Sequence, residues 1–199
     1  MFVRCFSLAV SMLAVLPALA AAQSTFTPVY HAPNRAFEQH EFGGSFSFPD
    51  GARDFAIEGA YRFGVDRFDI GLRAGLSDNE HSNDFLIGID ARMRVLDHES
   101  DDFPLDGAIV AGIGTADFDV WTVPTAGISL GRRVDIDDFS FVPYVQPALF
   151  LYAGNGEADL KFGLGLGADF RVAKLLDLRV SIGLFDGPEG LALSLVWVR

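Results

Sequence analysis

The stretch Asn79-Glu80-His81-Ser82-Asn83-Asp84 sets the residue types of acyl-transfer chemistry side by side: an imidazole that could serve as general base and a hydroxyl that could serve as nucleophile. The spacing argues against that use. Adjacent residues of an extended chain point to opposite faces, so His81 and Ser82 do not converge on one substrate. His31, His40 and His98 stand isolated, with no spacing suited to a metal. Two acidic runs, Val134 to Phe139 and Thr115 to Val120, bring carboxylates together, but neither has the Asp-x-Asp-x-Asp-Gly run and later glutamate of a dedicated calcium loop. The alternating glycines of Gly163 to Gly167 lack the spacing of a nucleotide-binding turn and lie inside a strand pattern. No cofactor and no catalytic constellation is implied, and the chain reads as a non-enzyme.

A different set of charges is spaced with more consequence. Between Asp159 and Val172 the even positions Leu160, Phe162, Leu164, Leu166, Ala168 and Phe170 are apolar, and the odd ones are Lys161, Gly163, Gly165, Gly167, Asp169 and Arg171. A period of two is that of a strand with two unlike faces, and it excludes a helix. Similar segments recur at 40–48, 54–64, 67–76, 84–95, 103–114, 120–132, 139–152, 159–172, 177–185 and 190–198, separated by breaks rich in Gly, Asp, Asn, Ser and Pro. Ten such segments with tight turns predict an all-β, antiparallel up-and-down barrel, with eight strands as an alternative; closure removes the edges that a flat sheet would expose. Pro143 and Pro147 fall mid-strand, where local bulges are expected to accommodate them.

The elements before the barrel differ in kind. Met1 to Ala22 carries one positive charge at Arg4, an apolar run and a small-residue end, which reads as a cleaved secretory signal peptide. Residues 23–39 have no periodicity and read as an irregular lead-in, followed by one barrel domain over 40–199. Removing the leader takes away Arg4 and Cys5, the chain's one cysteine, leaving 14 basic residues against 27 acidic. A net charge of −13 without Lys/Arg clusters excludes nucleic acid as a partner.

Alternation alone does not say which face is inside. Segments of nine to fourteen residues match the ~9 to 11 needed to cross a bilayer at a tilt. Glycine shares a face with charge, which suits a narrow lumen, and aromatics cluster near strand ends, as at membrane interfaces. On this reading Glu41, Glu58, Arg62, Asp69, Arg73, Asp90, Arg92, Arg94, Asp106, Lys161, Asp169, Arg171 and Arg179 form a lumen charge network. Ile87, Ile89, Phe162, Leu164, Leu166 and Phe170 face lipid, with Leu164 at the midplane. The competing reading is a soluble periplasmic or secreted, lipocalin-like barrel, in which Ile87, Ile89, Phe162, Leu164 and Phe170 would line a cavity for a small apolar ligand.

Phe162 to Gly187, "FGLGLGADFRVAKLLDLRVSIGLFDG", resembles the penultimate hairpin of small Gram-negative outer-membrane β-barrels, similar to outer membrane protein W or the transmembrane domain of outer membrane protein A. The resemblance implies an outer-membrane location, contact with outer-membrane lipid and lipopolysaccharide, and dependence on the barrel insertion machinery. It leaves the oligomeric state open. The chain departs from that pattern at its end, where Trp197 precedes Val198 and Arg199 instead of an aromatic closing the last strand. Residues 79–84 resemble the His-x-Ser-Asn signature of lipid A deacylases with the intervening residue missing. The expected function is a non-enzymatic outer-membrane barrel, structural or a small-solute channel; an outer-leaflet lipid-modifying enzyme would rest on His81 and its neighbours alone.

Overall fold

The computed structural model describes residues 25–33, 40–50, 53–79, 83–137, 139–154 and 156–199. The expected leader, the latter part of the lead-in and His81 with Glu80 and Ser82 lie outside them. Eleven strands form in chain order: β1 (His40–Pro49), β2 (Arg53–Val65), β3 (Phe68–Asn79), β4 (Asn83–Leu96), β5 (Asp106–Ala116), β6 (Val120–Gly131), β7 (Val134–Ile136), β8 (Phe139–Gly154), β9 (Glu157–Ala173), β10 (Leu176–Phe185) and β11 (Gly190–Val198). All neighbours pair antiparallel, β11 returns to β1, and β6 pairs with β8, so ten strands close into a barrel and β7 stands outside the ring.

Strand and connection lengths set the two ends of the barrel apart. His40 and Arg199 exchange backbone hydrogen bonds of 2.8 Å at what we call the terminal end. The connections there are 66–67, 97–105, the segment carrying β7, and 174–175; those at the far end span two to four residues each. Asp66 adopts a left-handed φ of 54° in its two-residue turn, a conformation that Asp tolerates better than most residues. Phe103 to Leu105 belong to the long 97–105 connection instead of opening β5 as the alternation predicts.

Two details of closure also depart from the sequence expectation. The ladder from β8 to β9 runs unbroken past Pro143 and Pro147, so no bulge forms there. The missing donors fall toward β6. That ladder skips Ile128 and Ser129, opposite Pro147 and Gln146, and stops at Gly131–Tyr144, before Pro143. The register shift of this seam lies instead at Pro124/Ala126. The first residues of β8 therefore have no β6 partner, and β7 pairs with Phe139, Ser140 and Phe141 to cover that edge.

Side-chain placement decides inside from outside. Ile87, Ile89, Phe162 and Leu166 are exposed on the outer wall, at 40, 42, 46 and 38 % of full accessibility, and Leu164 and Phe170 are half-buried there among neighbouring apolar groups. Arg92 and Arg179, by contrast, are 2 % exposed inside. A lipocalin-like arrangement is the reverse of this and is overturned: the interior it needs is filled by charged side chains, and its supposed lining faces outward. Phe42, Phe63, Phe68, Phe139 and Trp197 ring the terminal end, and Phe48, Phe85, Trp121 and Phe185 the far end, giving two aromatic girdles around an aliphatic belt. Such an exterior suits a bilayer, and the fold is a transmembrane β-barrel.

The register also relocates the midplane on β9. Leu164 lies opposite Leu184, one residue from the end of β10, whereas Leu166 lies opposite Ile182. The middle of the wall passes nearer Leu166 and, on β4, Ile89. Ile89→Arg is therefore expected to cost about 2 to 4 kcal/mol of membrane folding stability, measured by denaturant titration in lipid vesicles; a change below about 1 kcal/mol would place Ile89 away from lipid.

Candidate functional site

The lumen is the site, and an unpaired segment of the chain runs through it. Residues 25–33 form no strand, yet Thr25, Thr27, Val29, Tyr30, His31 and Ala32 are all buried. Phe26 packs against Ala56, Leu86 and Ala116 near the far end, and Pro33 approaches Gly131, the last residue of β6, at the terminal end. The segment thus threads the barrel from one mouth to the other. Its direction places Thr25 and Arg199 at opposite ends.

A backbone without a ladder must find other partners, since unpaired amides and carbonyls are costly in a confined interior. Wall side chains supply them. Tyr30 N donates to Ser181 Oγ at 3.3 Å and His31 N to Gln146 Oε1 at 3.2 Å. Ser181 Oγ donates to the Pro28 carbonyl at 2.6 Å, Tyr144 OH to that of Tyr30 at 2.7 Å, Ser129 Oγ to that of His31 at 2.7 Å, and Arg92 Nη1 to that of Ala32 at 2.6 Å. Ser129 lies in the stretch where the seam loses its ladder, so the interruption coincides with a wall contact to the segment. The strain at Phe26, a bulky residue at φ 60°, is of the order of 1 to 2 kcal/mol; burial of its ring, with Tyr152 at a centroid distance of 5.4 Å, offsets it.

The glycines of β9 and β10 follow from the same segment. A Cβ at Gly165 would fall inside the Tyr30 ring, one at Gly167 on the Tyr144 phenol, and one at Gly163 within 2.8 Å of Phe150. Gly183 is closed off by the Pro188 carbonyl, which also accepts from Tyr30 OH at 3.1 Å. Tyr30, Ala32, Tyr144, Ala148 and Phe150 form one apolar cluster inside the barrel. The small residues accommodate the threaded segment as well as neighbouring wall side chains.

Most of the expected charge network is assembled as ion pairs. Arg62 bridges Asp69 and Asp90, and Arg92 holds Asp69 at 2.9 Å. Arg73 pairs with Glu58 at 2.6 Å, and Thr27 of the threaded segment donates to the same carboxylate oxygen at 2.6 Å. Arg179 forks onto Asp169 at 2.8 and 2.9 Å, reaches Glu41 at 3.6 Å, and meets His31 Nδ1 at 2.7 Å. Arginine suits these places because its planar fork serves two partners at once.

Three predicted members stand at the rims instead. Lys161 lies on the part of β9 that extends past β10, whose pairing begins at Gly163; its ammonium is exposed beside Asp159 at 3.5 Å. Arg94 is two residues from the end of β4 and turns to Asp97 at 3.5 Å. Arg171, near the end of β9, binds Asp177, a lumen-facing carboxylate that the alternation did not single out because it follows the turn directly. His31 and His98 are also less isolated than their spacing suggests: His31 lies on the threaded segment, and His98 contacts Asp106 at 2.8 Å. His40 pairs with Tyr61 at 2.8 Å. The two acidic runs behave as turns and edge, with Asp117 Oδ1 accepting from Phe85 N at 2.6 Å. Asp135 on β7 is held below the usual carboxylate range by hydrogen bonds from Ser140 and Arg133.

Two substitutions test this arrangement. Arg62→Met leaves Asp69 with Arg92 but strips Asp90 of its cation, and a loss of about 3 to 5 kcal/mol is expected in denaturant titrations of the vesicle-folded protein. Gly165→Ala should cost about 1 to 3 kcal/mol, and the loss should shrink in a Tyr30→Ala background, because the clash is with that ring. Equal penalties in both backgrounds would mean that Tyr30 does not occupy this space.

No protein-family model and no curated protein matches the sequence. A solved structure described as "De novo design of transmembrane beta-barrels" resembles the chain with a TM-score of 0.40 and 13% identity, covering 82% of this chain and 97% of that one.

Proposed function

We propose that this protein is a non-enzymatic barrel of the outer membrane, held shut by its own amino-terminal segment, with a structural role in the envelope. The observation that carries the closed state is the course of residues 25–33 through the lumen, with backbone groups bonded to Ser129, Tyr144, Gln146, Ser181 and Arg92 on four different strands. Support for the outer membrane comes from the apolar exterior with two aromatic girdles, the leader-like first 22 residues, and the resemblance of Phe162 to Gly187 to small outer-membrane barrels. Outer-membrane lipid and lipopolysaccharide are then its surroundings and the insertion machinery its route in.

A small-solute channel is the second reading. It is favoured by one feature: the segment that fills the lumen is held by side-chain bonds, not by a strand ladder, so it is the part of the interior that can leave without opening the wall.

Planar-bilayer recording separates the two. The intact protein should show no steady conductance, and a variant lacking residues 25–33 should show defined steps, with heat-modified gel migration confirming that it is folded. A Tyr30→Ser/His31→Ala variant provides the same comparison with the chain length kept. Steady conductance of the intact protein would overturn the closed, structural reading in favour of the channel.

A further inference from the structure

The terminal end of the lumen opens into a cavity of about 200 Å³ whose border includes His98, Asp106, Arg133, Asp169, Arg171 and Asp177. One wall of it differs from the rest of the barrel. Among the described residues, Glu41, Glu58, Asp90, Asp169 and Asp177 are buried carboxylates, and each pairs with an arginine. Asp106, 1 % exposed, does not. Its partners are the backbone N of His98 at 3.0 Å and the His98 ring at 2.8 Å. Both contacts fall on Oδ1, so among the described residues Oδ2 of this carboxylate, which borders the cavity, has no hydrogen bond and no arginine. A carboxylate so placed keeps an acceptor free beside the cavity.

A third group completes a ligand set. Asp97, His98 and Asp106 each offer one ligand atom, and these atoms lie within 4.8 Å of one another. Asp97 and His98 sit at the start of the 97–105 connection and Asp106 opens β5, so the longest turn of the barrel folds back to bring them together. The loop is fixed by Asp101 Oδ2 accepting from Asp97 N at 2.9 Å and by the Asp97 carbonyl accepting from Asp101 N at 2.8 Å. Arg94 also reaches Asp97 at 3.5 Å, but both side chains are a third exposed and the contact is a weak competitor.

We infer that Asp97, His98 and Asp106 form a site for a divalent cation of the zinc class at the terminal mouth. Two carboxylates balance the charge of such an ion. The imidazole selects zinc and its transition-metal neighbours over calcium and magnesium, which take oxygen ligands. Three protein ligands leave a further coordination position, which would face the cavity.

The test is calorimetric titration of Zn²⁺ into the full-length, detergent-folded protein. One ion per chain is expected. His98→Gln and Asp106→Asn should each weaken binding by more than the ~10- to 100-fold that changes around a metal site produce without removing a ligand. His40→Gln, on the barrel wall beside Tyr61, should leave it unchanged. Zinc affinity unaltered by His98→Gln, or calcium bound in preference to zinc, would overturn the assignment. If Asp106→Asn fails the heat-modification check for folding, His98→Gln alone decides, because that side chain belongs to a connection and not to the wall.

Discussion

A ten-stranded barrel encloses more space than its wall can fill. Eight strands already give an interior about as wide as inward side chains can occupy, and this wall widens it further by placing Gly163, Gly165, Gly167 and Gly183 inward on β9 and β10. Interiors close to native packing density tolerate few voids, so a barrel of this size is either a water-filled channel or a container. Here the chain supplies the content. Residues 25–33 take the space that the glycines leave, and the polar groups of the wall are arranged around that segment as much as around one another. Ser181 and Tyr144 both serve its carbonyls, and Arg179 reaches its imidazole while gripping Asp169.

The charge pattern follows from the same confinement. Removing an ion from water is tolerable only when a partner stands at hydrogen-bonding distance and the remaining polar atoms are served. Five arginines and six carboxylates meet these terms by sharing: Asp69 is held by two arginines, and Arg62 and Arg179 each serve two carboxylates. Apolar groups dominate around Phe26 at the far end, while ion pairs concentrate toward the terminal end. The lumen is thus nearly balanced, and the chain's net charge of −12 resides chiefly in the connections, of which 97–105 alone carries Asp97, Glu99, Asp101 and Asp102.

Most of the wall was legible in the sequence because a strand in a bilayer has two faces that differ sharply, and the period of two reports both. Ile87 to Asp90 alternates apolar and lumen-facing residues as expected, and strand positions agree within a few residues. The threaded segment was not legible. Thr25 to Pro33 has no ladder, hence no period, and Pro28 and Pro33 read as breakers when the partners that satisfy the backbone come from strands 60 to 153 residues away. A signal was present all the same: a run of inward glycines on neighbouring strands implies that large side chains from elsewhere fill the space. Asp106 and His98 escaped for a related reason, since a turn that folds back on itself brings together residues whose separation matches no metal motif.

Closure and threading are coupled by topology. Neighbouring wall strands are nearly all joined by short connections, so their pairing is local, but β1 and β11 meet across almost the whole chain, and bringing them together carries the largest loop-closure entropy. The threaded segment lies just ahead of β1 in sequence and bonds to β4, β6, β8 and β10 across the lumen. Because the segment precedes β1 directly in the chain, its bonds to β8 and β10 help hold β1 near the strand it has to meet. The segment that closes the lumen therefore also favours closing the wall, which is a physical reason for the lead-in and the barrel to have matched sequences.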